Sequence, residues 1–304
     1  MVSDAGLKFA SQAGEALQDA YPQYRWTLHN RGVGGTGSWW ALLRLQGDAV
    51  DLRPEVVVLD FTVNDYDHPH HRRQAEALIR RLRAELPGAR LAAVLFLQVA
   101  DPEGQDPANL KEPVRQAWLA LCAHYGVPYA DYAAEVQRAA AAGERSLGEL
   151  FADPTHPNDA GHTLAAQLLG AVLGGGFLRA GMRPLPAERC FDNGEYEHAP
   201  LLLDADQNAG LSGSWTPAGS GLTSSQPGAA IAFEAVCQSF GLDCNYGEGA
   251  ALVEYRVDGG EWSRCDYAAA GVNYHCLWTG ERGEHRAEFR VVEGSFSLGR
   301  FLAI

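Results

Sequence analysis

The chain of 304 residues has little basic charge: 24 Lys and Arg stand against 38 Asp and Glu, a formal net charge of −14. Nucleic acid and anionic membrane surfaces attract basic proteins, so this balance argues against both as partners. The chain also lacks an apolar run near the roughly 18 residues that a transmembrane helix needs. Its hydrophobic fraction of 46% is typical of a globular protein with one large domain or two medium ones.

Signals for export and for metal binding are also absent. No basic segment followed by an apolar segment opens the chain as in a secretory signal. The six cysteines follow no CxxC zinc pattern, and the five in the second half cannot all pair there. We therefore expect reduced thiols and a cytoplasmic location. A Cys237–Cys244 or Cys265–Cys276 bridge is the alternative for an oxidising compartment.

Helical and apolar patterns alternate over the first half of the chain. Predicted helices cover residues 7–21, 37–46, 70–86, 110–125, 132–142 and 159–173, and predicted strands cover residues 25–29, 56–61, 91–98 and 127–130. The run at 56–61 is continuously apolar, which is typical of a strand covered on both faces. This alternation predicts a parallel sheet with helices on both faces and functional residues after the strands.

The composition changes after the last predicted helix. Residues 174–187 contain several Gly and Pro, which indicates a linker or a segment strapped across the first domain. Short alternating runs then follow at residues 229–235, 250–257, 284–291 and 296–302. They predict an all-β domain, a two-sheet sandwich of the jelly-roll type. We place domains at residues 1–178 and 179–304.

Three polar motifs follow predicted strands or open a helix. A glycine-rich loop runs from Asn30 to Gly37 and exposes backbone N–H groups. Asn64 follows the strand at 56–61, where its amide could face an oxyanion. Asp153 precedes His156 by one helical turn and could orient its ring, leaving Nε2 as a base. Taken singly, these motifs also fit a plain βα turn, an Asx turn and a helix cap. The loop is neither a P-loop nor a dinucleotide fingerprint.

Together and in this order, the three motifs resemble those of the SGNH/GDSL hydrolases over about residues 2–173. The resemblance implies a flavodoxin-like three-layer α/β/α fold and ester hydrolysis by Ser-His-Asp chemistry. It assigns the oxyanion donors to Gly35 and Asn64, the general base to His156 and its orienting carboxylate to Asp153. It implies no metal and no cofactor.

The chain departs from this family at the nucleophile, a serine in a Gly-x-Ser block after the first strand. No such block precedes the first predicted helix, and only Ser3 and Ser11 lie in that region. Because Ser11 falls inside the predicted helix, we assign no serine. We expect that the given sequence starts at an internal Met of a longer protein. The alternatives are an enzyme remnant that has lost its nucleophile, and Ser3 acting as nucleophile in an unusual geometry. Loss of a central first strand would expose an apolar edge on its neighbours.

The substrate prediction rests on resemblance as well. Esterases with a comparable second domain act on carbohydrates, so we expect an acetylated carbohydrate as substrate. A broad small-ester or lipid-acyl esterase is one alternative, and a catalytically inactive protein with a glycan-binding β-sandwich is another. Trp215, Trp262 and Trp278 could stack on sugar rings or fill the sandwich core. His68, His70 and His71 favour a solvated loop over a metal site. The oligomeric state stays open.

Overall fold

A computed structural model of the chain describes residues 9–104, 106–174, 176–191, 194–198, 200–218, 221–245, 251–265, 272–273 and 276–304. The chain divides into two compact units, Met1–Asn193 and Gly194–Ile304. Within the described residues, no helix has the length and apolar character needed to cross a membrane.

In the first unit, helices surround a short parallel sheet. Its helices are α1 (Phe9–Ala20), α2 (Ser38–Leu45), α3 (Pro69–Glu85), α4 (Glu112–Tyr125), α5 (Tyr132–Ala141) and α6 (Asp159–Leu173). Its strands are β1 (Val56–Leu59), β2 (Arg90–Val94) and β3 (Tyr129–Ala130), which pair in parallel in that order. The predicted α/β class is confirmed, and each predicted helix has its counterpart.

Local sequence explains where these helices begin and end. Helix α3 starts at Pro69, which needs no amide partner at the first helical position, and the His68 ring accepts from the amide of His70 at 3.3 Å. Helix α4 ends at Gly126, whose φ of +64° lies in the left-handed region. Asn158 caps α6 by accepting from the Gly161 amide at 3.1 Å. This last cap positions the loop that carries His156.

The strand predicted at residues 25–29 does not form. A strand needs a hydrogen-bonded neighbour, and within the described part of the chain no segment pairs with these residues. Leu28 is accordingly 54% exposed. Strand β1 pairs with β2 alone among the described strands, and Val58 is 37% exposed. The prediction that this strand is covered on both faces is therefore wrong at Val58.

The segment after α6 is strapped across the first unit. The buried carboxylate of Glu76 in α3 accepts hydrogen bonds from the amides of Cys190 and Phe191, both at 2.5 Å. The hydroxyl of Tyr125 in α4 donates to the same carboxylate. Four more side chains of the first unit donate hydrogen bonds to backbone carbonyl oxygens of the strap. They are Arg80 to Pro186, Arg83 to Arg183, Arg90 to Ala180 and His124 to Glu188. Of the two predictions for this segment, the strap is therefore correct.

The second unit is a strongly curled antiparallel sheet, which confirms the predicted all-β class. Its strands are β4 (Leu201–Asp204), β5 (Gly210–Ser212), β6 (Thr216–Ala218), β7 (Gly221–Ser224), β8 (Ala230–Asn245), β9 (Leu252–Val257), β10 (Ser263–Cys265), β11 (Val272–Asn273), β12 (Cys276–Glu293) and β13 (Phe296–Ala303), with helix α7 (Ala205–Asn208) after β4. The main path of neighbours is β10-β9-β12-β8-β13-β7-β6, while β4 pairs with β13 and both β5 and β11 pair with β8.

Alternating residues of these strands form the core of the second unit, and irregularities shift the alternation. The residues of β13 that belong to this core are Phe296 and Leu298, then Phe301 and Ala303. The pairing of β13 with β8 shifts between Leu298 and Arg300. One extra residue in a strand reverses which side chains face inward, so both ends of β13 bury apolar groups.

Two of the three candidate sugar-stacking tryptophans pack against this core. Trp278 stacks on Phe240 with 5.4 Å between ring centroids, and Trp215 meets Phe296 edge-on. Trp262 lies outside the cluster, with the guanidinium groups of Arg256 and Arg290 at 4.6 and 4.1 Å from its ring centroid. The two candidate disulfides do not form, because Cys237, Cys265 and Cys276 are free thiols.

We predict that Glu76→Gln lowers the free energy of unfolding of the first unit by about 1–3 kcal/mol, because a charged acceptor of buried donors is lost. Trypsin should then cleave the strap faster at Arg179 or Arg189. Chemical unfolding and limited proteolysis measure both effects. The control is Glu144→Gln, which weakens an exposed pair with Arg138 and should cost about 0–1 kcal/mol. Equal stability of the two variants would contradict the prediction.

His285, in β12, contacts the turn after β9 and the irregular stretch of its own strand. Its Nδ1 lies 2.8 Å from Oδ2 of Asp258, and its Nε2 lies 2.9 Å from the carbonyl oxygen of Glu281. Both partners are acceptors, so an imidazole that donates to both carries two protons. Burial lowers the pKa of His285, but the hydrogen bonds to Asp258 and Glu281 outweigh it and raise the pKa above its ordinary value.

Because the pKa of His285 is raised in the folded state, this contact stabilises the fold fully at a pH below the pKa of histidine in the unfolded chain, about 6.5. The stabilisation is lost as the pH rises through the folded pKa. We therefore predict that the gap in thermal midpoint between wild type and His285→Gln is wider at about pH 6 than at about pH 9. Scanning calorimetry measures it, with the exposed His198→Gln as control. A gap that stays constant with pH refutes the role of His285.

Candidate active site

The glycine-rich loop is shaped by its own side chains. Oδ1 of Asn30 accepts from the amide of Gly32 at 3.0 Å, and the Thr36 hydroxyl donates to the carbonyl of Val33 at 2.7 Å. Between them Gly35 has a φ of +74° and is exposed. Glycine adopts this left-handed conformation without steric cost, whereas an L side chain would be strained. The loop therefore presents the backbone of Gly35 to solvent, as an oxyanion donor requires.

Asn64 lies in a tight turn directly after β1. The amides of Asn64 and Asp65 both donate to the carbonyl of Phe61, at 3.1 and 2.8 Å. The hydroxyl of Thr62 donates to the carbonyl of Phe96, which follows β2, at 3.0 Å. Asn64 is half-buried at the carboxyl end of the sheet. The turn thus holds Asn64 where parallel α/β sheets bind ligands.

The carboxylate of Asp65 joins this turn to the glycine-rich loop. Its Oδ1 accepts from the amide and the hydroxyl of Ser38, the first residue of α2, at 2.8 and 3.0 Å. Its Oδ2 accepts from Nε1 of Trp118 in α4 at 3.1 Å, and Asp65 is only 2% exposed. A Cβ on Gly37 would lie 2.5 Å from Oδ1, so the contact requires glycine there. The turns of Gly35 and Asn64 are therefore held side by side.

Asp153 and His156 form the predicted dyad. Nδ1 of His156 lies 2.8 and 3.0 Å from the two oxygens of Asp153. Oδ1 also accepts from the amides of Thr155 and His156, both at 2.8 Å. The carboxylate therefore fixes the ring as the tautomer protonated at Nδ1, which leaves Nε2 as the basic nitrogen. The side chains are 61% and 49% exposed for His156 and Asp153.

The hydrogen bonds also tune the charge of the dyad. Partial burial raises the pKa of Asp153, but donation by the amide of Thr155 and by the ring and amide of His156 lowers it more. The net pKa of Asp153 lies below its ordinary value. The carboxylate is therefore ionised at neutral pH and can stabilise an imidazolium at His156.

A chain of contacts that sequence reasoning missed connects the dyad to the Asn64 turn. The side-chain Nε2 of Gln98 donates to the hydroxyl of Thr155 at 3.2 Å, and the backbone amide of Gln98 donates to Oδ1 of Asn109 at 3.1 Å. The same Oδ1 accepts from the amide of Lys111, whose Nζ donates to the carbonyl of Asp65 at 3.1 Å. Burial lowers the pKa of Lys111, against the opposing effect of Asp65. The sequence signal for this region is the polar stretch 101–109, which follows the predicted strand at residues 91–98 and ends at Asn109.

The structure gives no assignment for the nucleophile. Ser11 lies exposed inside α1, as its helical position predicted, and Ser3 lies outside the described residues. Over the described part of the chain, no hydroxyl group contacts Nε2 of His156. The same part of the chain contains no group of three His, Cys, Asp or Glu residues arranged to hold a metal ion.

The chain was compared with protein families and with solved structures. Residues 3–164 match the family described as GDSL-like lipase/acylhydrolase. A two-domain esterase (CEX) active on acetylated mannans, co-crystallised with mannopentaose, is 21% identical with a TM-score of 0.81, covering 98% of this chain and 84% of that one. A second structure of that esterase is 22% identical with a TM-score of 0.81, covering 98% and 85%. No curated protein matches the chain.

We predict that Asp65→Asn lowers the free energy of unfolding of the first unit by about 1–3 kcal/mol, because an amide nitrogen cannot accept from Ser38 or Trp118. Urea unfolding followed by tryptophan fluorescence measures the loss. The matched control is Asp67→Asn, two residues away, whose side chain is 47% exposed and pairs with Arg72 at the surface; its cost should be about 0–1 kcal/mol. An equal loss of unfolding free energy in Asp65→Asn and Asp67→Asn would contradict the role of Asp65 in joining the turn to α2 and α4.

Proposed function

The chain belongs to the GDSL-like lipase/acylhydrolase family, and we propose that it hydrolyses acetyl esters on carbohydrate. The observation that carries this proposal is the ring of His156, oriented by both oxygens of Asp153 and tied through Gln98 and Lys111 to the Asn64 turn. The substrate class is proposed because the two-domain esterase with the same fold is active on acetylated mannans.

The dyad would act as the proton carrier. In the first step Nε2 of His156 takes the proton of the attacking hydroxyl and then donates it to the departing sugar oxygen. In the second step it takes a proton from water, which attacks the acyl carbon of the acyl-enzyme, and returns that proton to the enzyme oxygen as its bond to the acyl carbon breaks and acetate leaves. Asp153 holds Nδ1 through both steps and stabilises the positive ring. The attacking hydroxyl is left unassigned.

The oxyanion would be stabilised by the paired turns. The backbone N–H of Gly35 and the side-chain amide of Asn64 are the proposed donors to the negative oxygen of the tetrahedral intermediate. The Asp65–Ser38 contact keeps these turns adjacent before any substrate binds. Donors that are already oriented need no rearrangement when charge develops, which lowers the barrier.

A non-catalytic glycan-binding protein is the second candidate. One observation that favours it is that, within the described ranges, no hydroxyl group hydrogen-bonds to Nε2 of His156. Of the three candidate stacking tryptophans, Trp262 alone lies outside the core of the second unit, and a sugar that stacked on it would share the ring with the guanidinium groups of Arg256 and Arg290. A broad small-ester or lipid-acyl esterase is distinguished from the proposed function by its preference for longer acyl chains.

We predict that the chain releases acetate from acetylated mannan and is labelled by a fluorophosphonate. His156→Ala should lower kcat/KM by about a thousandfold because the base is lost, whereas His124→Ala, outside the site, should not. Mass spectrometry of the labelled peptide then assigns the nucleophile. If neither acetate release nor labelling occurs, the hydrolase proposal is wrong and glycan binding takes its place. A faster reaction with octanoyl than with acetyl esters would favour the lipid-acyl alternative.

A further inference from the structure

An exposed tyrosine stands beside the proposed oxyanion turn. Tyr66 follows Asn64 by two residues, and 55% of its surface is open to solvent. Its neighbour in space, Lys111, is preceded by Leu110, which is 57% exposed. An aromatic ring at the rim of a site is typical of ligand recognition.

The ring of Tyr66 is held in place from within the protein. Nζ of Lys111 lies 4.3 Å from the ring centroid, and the ring of His71 meets it edge-on at 5.3 Å. Lys111 is itself anchored, because its Nζ donates to the carbonyl of Asp65. A cation over an aromatic face restrains the ring. Tyr66 therefore presents its open surface in a fixed position relative to the Asn64 turn.

We propose that Tyr66 is a stacking platform for the sugar ring that carries the ester. The proposal rests on the proposed function, since it names the residue that recognises the alcohol part of the substrate. Pyranose rings have an apolar face of C–H groups, which packs on an aromatic ring without needing a charged partner. Lys111 covers one face of the Tyr66 ring and is itself engaged by Asp65, so the open part of the ring rather than the ammonium is the group offered to a neutral sugar.

The test compares esters that do and do not contain a sugar. Acetylated mannopentaose and ethyl acetate are the substrates, and the variants are Tyr66→Ala, Tyr66→Phe and Tyr129→Ala. Tyr129 is an exposed tyrosine at the start of β3 and serves as the matched control. Calorimetric titration with mannopentaose adds a binding readout that does not depend on turnover. Thermal unfolding checks that each variant folds.

The platform predicts that Tyr66→Ala lowers the ratio of kcat/KM for the sugar ester to that for ethyl acetate about tenfold, through KM. Its affinity for mannopentaose should fall by a similar factor. Tyr66→Phe keeps the ring and should retain both values, as should Tyr129→Ala. An unchanged ratio and affinity in Tyr66→Ala, or an equal loss in Tyr66→Phe, overturns the platform.

The outcomes separate the platform from the proposed function. If wild type hydrolyses both esters and Tyr66→Ala keeps their ratio, the platform fails while the hydrolase stands. If wild type binds mannopentaose, loses that binding in Tyr66→Ala and cleaves no ester, the hydrolase fails while the platform stands. Wild type that neither binds mannopentaose nor prefers the sugar ester overturns the platform directly.

Discussion

The buried carboxylate of Asp65 is the contact on which the proposed site depends. It accepts hydrogen bonds from the start of α2 and from Trp118 in α4, while its own backbone belongs to the turn of Asn64. A carboxylate with 2% exposure is stable only while its donors stay in place. The same contacts that satisfy this charge therefore keep the loop of Gly35 next to Asn64, so stability and positioning have one cause.

The two halves of the site are built differently. The turns with the proposed oxyanion donors are held by buried contacts between distant elements, whereas Asp153 and His156 form a local arrangement within one exposed turn, where His156 is 61% exposed. Charges in water interact weakly, and their attraction grows when water is excluded. A bound ester would itself cover His156 and strengthen its contact with Asp153. The chain of Gln98, Asn109 and Lys111 sets the distance between these halves without burying the base.

The polar contacts that join distant elements have a common pattern in the first unit. Glu76 and Asp65 are both buried carboxylates, and both accept from backbone amides as well as from an aromatic donor, Tyr125 or Trp118. Hydrogen bonds to a charged acceptor are stronger than neutral ones, and leaving either donor unpaired is costly. Each carboxylate thus fixes an irregular segment, the strap or the site turn, for which periodic structure supplies no geometry.

The sequence by itself determined what depends on near neighbours. The helices follow from apolar spacing, the dyad from the three-position spacing of Asp153 and His156, and the all-β class of the second unit from alternation. Tertiary structure decided the rest: Asp65 meets Ser38 and Trp118 across 27 and 53 positions, and Glu76 meets Cys190 across 114. Residues 25–29 have strand-like composition but find no described partner. Such outcomes depend on which surfaces pack together, and a local pattern carries no information about a partner so far along the chain.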